Sequence, residues 1–127
     1  MDSTAVPDAK VALFRPEFRK IDVINSESFN ASLLSHLKEG VRLVLDLSNV
    51  QFIDSSGLGK IIFALRSFRE RGGDLRICSV QPPVMVLFAM VRLREIVGID
   101  NTAEESTAAL RGGVAAGTSS PGPGGAS

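Results

Sequence analysis

The residues best suited to chemistry lie in one segment, Asp54-Ser55-Ser56-Gly57-Leu58-Gly59-Lys60, which follows a short apolar stretch and opens a helical pattern. Two hydroxyls and two glycines at a helix start leave backbone N–H groups unpaired beside the positive end of the helix dipole. That arrangement suits an anion, or a phosphate carried on a serine. Ser, Asp and Gly are also the ordinary residues of helix starts, so local chemistry reads the segment first as a structural cap, with a functional hydroxyl as the alternative. A phosphate-binding loop, Gly-x-x-x-x-Gly-Lys-Ser/Thr, fails at two positions, because Asp54 stands at its first glycine and Ile61 at its hydroxyl. The serine hydrolase elbow Gly-x-Ser-x-Gly fails as well, since Ile53 and Asp54 stand two residues before Ser55 and Ser56.

Other reactive side chains are few. His36 is the single histidine and is read as an exposed residue near the end of a helix rather than as a base. Cys78 closes an apolar run and is read as a buried, inert thiol, with Arg76 facing away from it. One cysteine forms no intrachain disulfide, and with one histidine it supplies too few ligands for a typical zinc site. The expectation is therefore a protein that is not an enzyme and needs no metal or cofactor.

Composition narrows the classes further. In 127 residues, 44% are hydrophobic and 22% charged, which suits one domain with an ordinary core. Fourteen Lys and Arg balance fourteen Asp and Glu, and the arginines are scattered, so no nucleic-acid partner is expected. No stretch approaches the ~18 apolar residues of a membrane span, and Met1-Asp2-Ser3-Thr4 lacks the pattern of a signal peptide. A cytoplasmic protein with no direct membrane insertion is expected. With seven Phe and no Trp or Tyr, an interface must work mostly through backbone, aliphatic and charged groups.

The elements that must position the segment alternate along the chain. Lys10 to Phe14 reads as a strand, Arg15-Pro16-Glu17 as a turn and Arg19 to Val23 as a second extended piece, together an opening hairpin. Phe29, Leu33, Leu34 and Leu37 share one face of a helix capped at Asn25 or Ser26 and ended by Gly40. Val41 to Leu47 is nearly continuous in apolar residues, as a central strand covered on both faces requires. Leu58, Ile61, Ile62, Leu65 and Phe68 recur at helical spacing until Gly72-Gly73, and Leu75 to Ser79 returns as a strand, making a βαβ unit. Pro82-Pro83 suits the first turn of a helix to about Met90, Arg94 to Ile99 a short strand, and Thr102 to Glu105 a capping box for a last helix to about Leu110. Met85, Leu87, Phe88, Met90 and Leu93 are read as core ahead of partner surface. Arg111 to Ser127 holds six of twelve Gly and two of six Pro and is read as a disordered tail after one domain at residues 8–110. The expected fold is α/β, a mixed sheet of four to five strands with four helices packed on it.

Leu45-Asp46-Leu47 followed by Phe52-Ile53-Asp54-Ser55-Ser56-Gly57-Leu58-Gly59 resembles the signature of the STAS domain, specifically the bacterial anti-sigma factor antagonists. The resemblance extends in order from about Val11 to Leu110 and is strongest from Val41 to Met90. It implies a non-catalytic switch whose unmodified form binds a serine kinase that doubles as the anti-sigma factor, of the ATP-binding histidine-kinase-like fold, so that a sigma factor is freed. Phosphorylation ends the binding and a serine phosphatase restores it. By the same resemblance Ser56 is the phosphate acceptor, while Asp54, Ser55, Gly57, Leu58 and Gly59 belong to the contact surface. Asp22 matches an early Gly-x-Leu-Asp whose glycine is here Arg19; it reads equally as a cap for the helix near Asn25. A different reading is a STAS accessory subunit of a lipid or anion transporter.

Overall fold

Which helix covers which side of the sheet follows from alternation along its short strands. A computed structural model of the chain describes residues 10–112. The elements are β1 (Val11–Phe14), β2 (Lys20–Ile21), α1 (Ser26–Leu34), β3 (Arg42–Asp46), β4 (Phe52–Ile53), α2 (Ser55–Glu70), β5 (Asp74–Cys78), α3 (Pro82–Met90), a 3-10 turn at Leu93–Glu95, β6 (Gly98–Asp100) and α4 (Ala103–Gly112). A four-stranded sheet runs β1-β3-β5-β6, and β2 and β4 form a separate pair. The α/β class and the four helices are as expected.

Strand pairing differs from the expectation. Every described pair is parallel, so the described sheet is not mixed and the opening hairpin does not form. β1 lies along β3, with Val11 opposite Arg42 and Phe14 opposite Leu45, while β2 lies along β4, with Ile21 opposite Ile53. Burial explains the exchange: Ala12 and Phe14 pack on the main core while Val11 packs on the other face, so β1 adds to the edge of the parallel sheet beside β3 and contributes to both of its packed layers. Parallel neighbours need long crossovers, and α1, α2 and α3 supply them.

Three boundaries also move. The first helix stops at Leu34 instead of reaching Gly40. The Ser35 hydroxyl donates to the Ser32 carbonyl at 2.6 Å, competing with the helical ladder, and the chain tightens into turns through Leu37. His36 is therefore not an exposed helical residue; it is half-buried, its ring 5.3 Å from that of Phe14. The expected strand from Arg94 is partly a 3-10 turn, entered through left-handed Arg92, with only Gly98–Asp100 extended. Arg111 and Gly112 close α4 rather than starting a tail; residues 113–127 of that tail, and residues 8 and 9 of the expected domain, lie outside the described residues.

One face of the sheet sends Leu43, Leu45, Leu75 and Ile77 into a core with Phe29 and Leu33 of α1 and Ile61, Leu65 and Phe68 of α2. The other packs Val44 and Cys78 under Leu110 of α4. Arg76, two residues before Cys78, lies on this same face and not away from the thiol. It bonds Asp100 through Nε at 2.7 Å and Nη2 at 3.0 Å, and the Ser106 hydroxyl donates to Asp100 at 2.6 Å, fixing α4. The α4 cap forms as a box: Thr102 Oγ1 accepts the Glu105 N–H, while the Glu105 carboxylate accepts the N–H of Asn101, one residue earlier than expected. Burial pushes the Cys78 thiol upward in pKa, as expected of an inert cysteine. On α3, Val84 and Phe88 are buried, and so is Leu93 beyond it, but Met90 is 76% exposed and does not join the core.

The end of α2 is a two-glycine motif. Gly72 adopts φ 79°, its N–H reaches Arg69 O at 3.1 Å, and the Gly73 N–H reaches Phe68 O at 2.9 Å. A Cβ on Gly73 would collide with the Val41 carbonyl, where the chain enters β3. We expect Gly73→Ala to cost more than about 2 kcal/mol of stability by urea titration, because backbone rather than a flexible side chain must move.

Candidate functional site

Asp54 is where β4 becomes α2. Its backbone is extended, φ −97° and ψ −174°, and its carbonyl accepts the first helical bond from Leu58 at 3.0 Å. Oδ1 accepts the N–H groups of Ser56 at 2.8 Å and Gly57 at 3.2 Å, the two donors that an N-cap side chain normally satisfies. Oδ2 accepts a third, from Val23 at 3.2 Å, in the loop between β2 and α1. The structural role assigned to Asp54 from its residue type is therefore present, and it also ties together two distant turns.

Asp22 sits across from it. Its Oδ1 accepts the N–H groups of Ile24 at 3.0 Å and Asn25 at 3.3 Å, closing the turn ahead of α1. Asn25 precedes α1 but does not cap it with its side chain, contrary to the expectation. Its amide turns back instead, donating to Lys20 O at 2.7 Å and accepting the Asp22 N–H at 2.9 Å. With the loop backbone tied this way, Val23 and Ile24 face solvent, Ile24 at 89% exposure.

The two glycines of the segment do different work. A Cβ on Gly57 would lie 2.6 Å from Ile21 Cγ2, 2.9 Å from Ile53 Cγ2 and 3.1 Å from Ile21 O, so only glycine lets α2 settle on the β2–β4 pair. A Cβ on Gly59 would meet nothing within 4 Å. Leu58 is buried in the core. Gly57 and Leu58 thus do not reach the surface the resemblance assigns them to; they fix the height and pitch of α2, and Ser55, Ser56 and Gly59 form what is accessible.

That accessible face continues into an open groove of about 620 Å³ between α1 and α2. Its lining includes Ser55, Ser56, Gly59, Lys60 and Phe63 from α2, and Glu27 and Asn30 from α1. Lys60 Nζ lies 2.9 Å from Glu27 Oε2, bridging the two walls. Asn30 Oδ1 is buried with no hydrogen-bond partner. Lys60 and Phe63 stand four and seven residues after Ser56, so their face was readable from helical spacing. Glu27 and Asn30 were not, because no local pattern shows that α1 lies beside α2.

What the groove presents at its α2 end is a pair of serine hydroxyls, Ser55 exposed and Ser56 half-buried. Neither serine hydroxyl is engaged in a hydrogen bond among the described residues, and no histidine or cysteine lines the groove. Among the described residues no group of three or more His, Cys, Asp or Glu could hold a metal, and no helix is long and apolar enough to cross a membrane.

Comparison with known proteins adds four findings. Residues 11–106 match the family model described as the STAS domain. A stretch of 57 residues is 44% identical to an anti-sigma F factor antagonist of Paenibacillus polymyxa, covering 45% of this chain and 49% of that protein, about half its length. The fold is similar to the crystal structure of an anti-sigma factor antagonist from Mycobacterium paratuberculosis, with TM-score 0.72 and 18% identity over 85% of this chain and 99% of that one. It is also similar to a sulfate transporter family protein from Wolinella succinogenes, with TM-score 0.68 and 16% identity over 84% and 88%.

The two glycines predict opposite outcomes for one substitution. Gly57→Ala should cost about 1–3 kcal/mol in chemical unfolding, since two isoleucines and a carbonyl must give way. Gly59→Ala should be neutral or stabilise by up to about 1 kcal/mol, as expected of an open helical position. Asp54→Ala should cost about 1–2 kcal/mol and speed amide exchange at Val23, Ser56 and Gly57, which lose their shared acceptor.

Proposed function

Because the chain belongs to the STAS domain family, we propose that it is an anti-sigma factor antagonist whose binding is switched by phosphorylation of Ser56. The observation that carries this reading is an unengaged serine hydroxyl at a helix start whose cap is already complete without it. Ser56 is free to be modified because Asp54, not Ser56, holds the first turn together. The sequence likeness to the Paenibacillus protein favours this role over a transporter subunit, whereas the fold alone is shared by both.

In the unmodified state the face formed by Ser55, Ser56, Gly59 and the Asp22 loop docks on an anti-sigma factor that is also a serine kinase of the ATP-binding histidine-kinase-like fold. The chain itself is not a catalyst; its partner supplies the chemistry. Gly59 contributes by leaving room for close approach, and Val23 and Ile24 by offering aliphatic surface. Phosphorylation adds about −1.5 to −2 charges beside Asp54. The helix dipole offsets this by about 0.3–1 kcal/mol, while the same charge in a packed interface costs several kcal/mol. A penalty of about 4 kcal/mol weakens binding roughly a thousandfold, so the complex dissociates while the fold stays intact. A serine phosphatase reverses the step.

The test uses wild-type chain, Ser56→Ala and Ser56→Asp as baits in source-cell lysate, with retained proteins and phosphosites identified by mass spectrometry. Wild type and Ser56→Ala should retain an ATP-binding serine kinase, Ser56→Asp should lose it, and all three should melt within a few degrees of one another. Equal retention of the kinase by all three removes the switch, and equal retention of transporter subunits replaces the reading. Gly59→Ala should fold normally yet bind roughly 5- to 150-fold more weakly, since an added methyl at a packed contact costs about 1–3 kcal/mol.

A further inference from the structure

The groove beside Ser56 holds one basic residue among those lining it, Lys60, and one acidic residue, Glu27, and they are paired with each other across its two walls at 2.9 Å. The pair is lopsided: the Lys60 side chain is 28% exposed and that of Glu27 80%. An ion pair to so exposed a carboxylate is weakly held and readily exchanged. Ser56 and Lys60 are four residues apart on α2, hence neighbours on one helix face, with the acceptor on the N-terminal side, the favourable order for an anion and a cation at this spacing.

We infer that phosphorylation of Ser56 draws the Lys60 ammonium off Glu27 and onto the phosphate, so that the modification opens the ion pair between α1 and α2 and frees a carboxylate on the opposite wall of the groove. The inference rests on the reading of Ser56 as the acceptor. In the step itself Ser56 Oγ bonds to the γ-phosphorus of ATP, the bond from that phosphorus to the β,γ-bridging oxygen breaks, ADP leaves, and the hydroxyl proton passes to the kinase or to water. The product is a near-dianion competing with a carboxylate for one ammonium, and it does so from the same helix as the lysine. Asp54 does not compete, because its oxygens are occupied by three backbone N–H groups. The charge seen by a partner therefore changes on both walls at once: the phosphate appears on α2 and an unpaired Glu27 on α1. Lys60 is a positioning residue in this scheme. It limits repulsion within the phosphorylated fold while spreading the repulsive surface outward.

The exchange is tested on the full chain with phosphoserine inserted at position 56 during translation, so no kinase is required. In the unphosphorylated chain Lys60→Gln and Glu27→Gln should each lower Tm at low salt by about 2 °C. In the phosphorylated chain Lys60→Gln should still lower it, whereas Glu27→Gln should leave it unchanged or raise it. The phosphorus NMR titration should show the second ionisation of the phosphate at higher pH in Lys60→Gln than in the wild type. The exchange is overturned if Glu27→Gln costs as much with the phosphate as without it, or if the phosphate titrates identically with and without Lys60. A phosphorylated chain that shows the exchange but still binds its kinase removes the switch and not the exchange; loss of the kinase without the exchange does the reverse.

Discussion

Much of the site depends on one carboxylate. Asp54 accepts three backbone N–H groups, two from the first turn of its own helix and one from Val23, 31 residues earlier in the chain. A monodentate cap would start α2 but leave its direction to packing. The second oxygen, bound to the β2–α1 loop, also fixes how the helix start stands relative to Asp22 and to the foot of α1. Gly57 completes the constraint, since its missing side chain lets α2 rest on Ile21 and Ile53. Ser56 is displayed at a defined height because the groups on either side of it are saturated or packed.

The surrounding fold keeps that display rigid. Parallel strands pushed together by long crossovers bury both faces, and the two faces are held by different forces. Aliphatic and phenyl groups fill the side toward α1 and α2, so the site rests on a dispersion-packed core. Toward α4, polar contacts join a small apolar cluster of Val44, Cys78 and Leu110. The Asp100 carboxyl is pulled up in pKa by burial, but Arg76 and Ser106 outweigh that and hold it below its ordinary value. Asp46 shows the same balance, with burial opposed by Ser48 and Arg15. These ionised groups are tied on the α4 side of the sheet, away from the α1–α2 groove, so a charge added at Ser56 would leave them in place.

The sequence showed the site more clearly than its setting. Asp54 as a cap, the start of α2 and the stop at Gly72-Gly73 are local chemistry, and each could be read from a few adjacent residues. Pairing of β1 and β2 could not, because a two-residue strand such as Lys20–Ile21 carries no period, and the hairpin it suggested yields to burial against Ile53. The early end of α1 was hidden for a related reason: Leu37 continues the apolar spacing while the Ser35 hydroxyl, invisible to that spacing, competes for the backbone. The opposite wall of the groove is a tertiary fact. Nothing near Glu27 or Asn30 in sequence says that Lys60 is across from them.

A cap that is complete without the serine bears on the switch proposed for Ser56. Had the Ser56 hydroxyl itself capped α2, adding a phosphate would have removed or rebuilt the first turn, and modification would have acted through folding. Here Ser56 gives only its backbone N–H to Asp54, and that bond is unaffected by what the side-chain oxygen carries. The helix dipole further lowers the cost of the added charge in the free protein. In the proposed switch, destabilisation of the fold and loss of affinity are thus separated by geometry: Asp54 and the helix start would keep the first small, and the second would grow with how tightly a partner packed against Gly59 and the Asp22 loop. A partner that stayed well hydrated there would barely sense a phosphate on Ser56, so in the proposed switch sensitivity to phosphorylation and closeness of fit would arise from the same open surface.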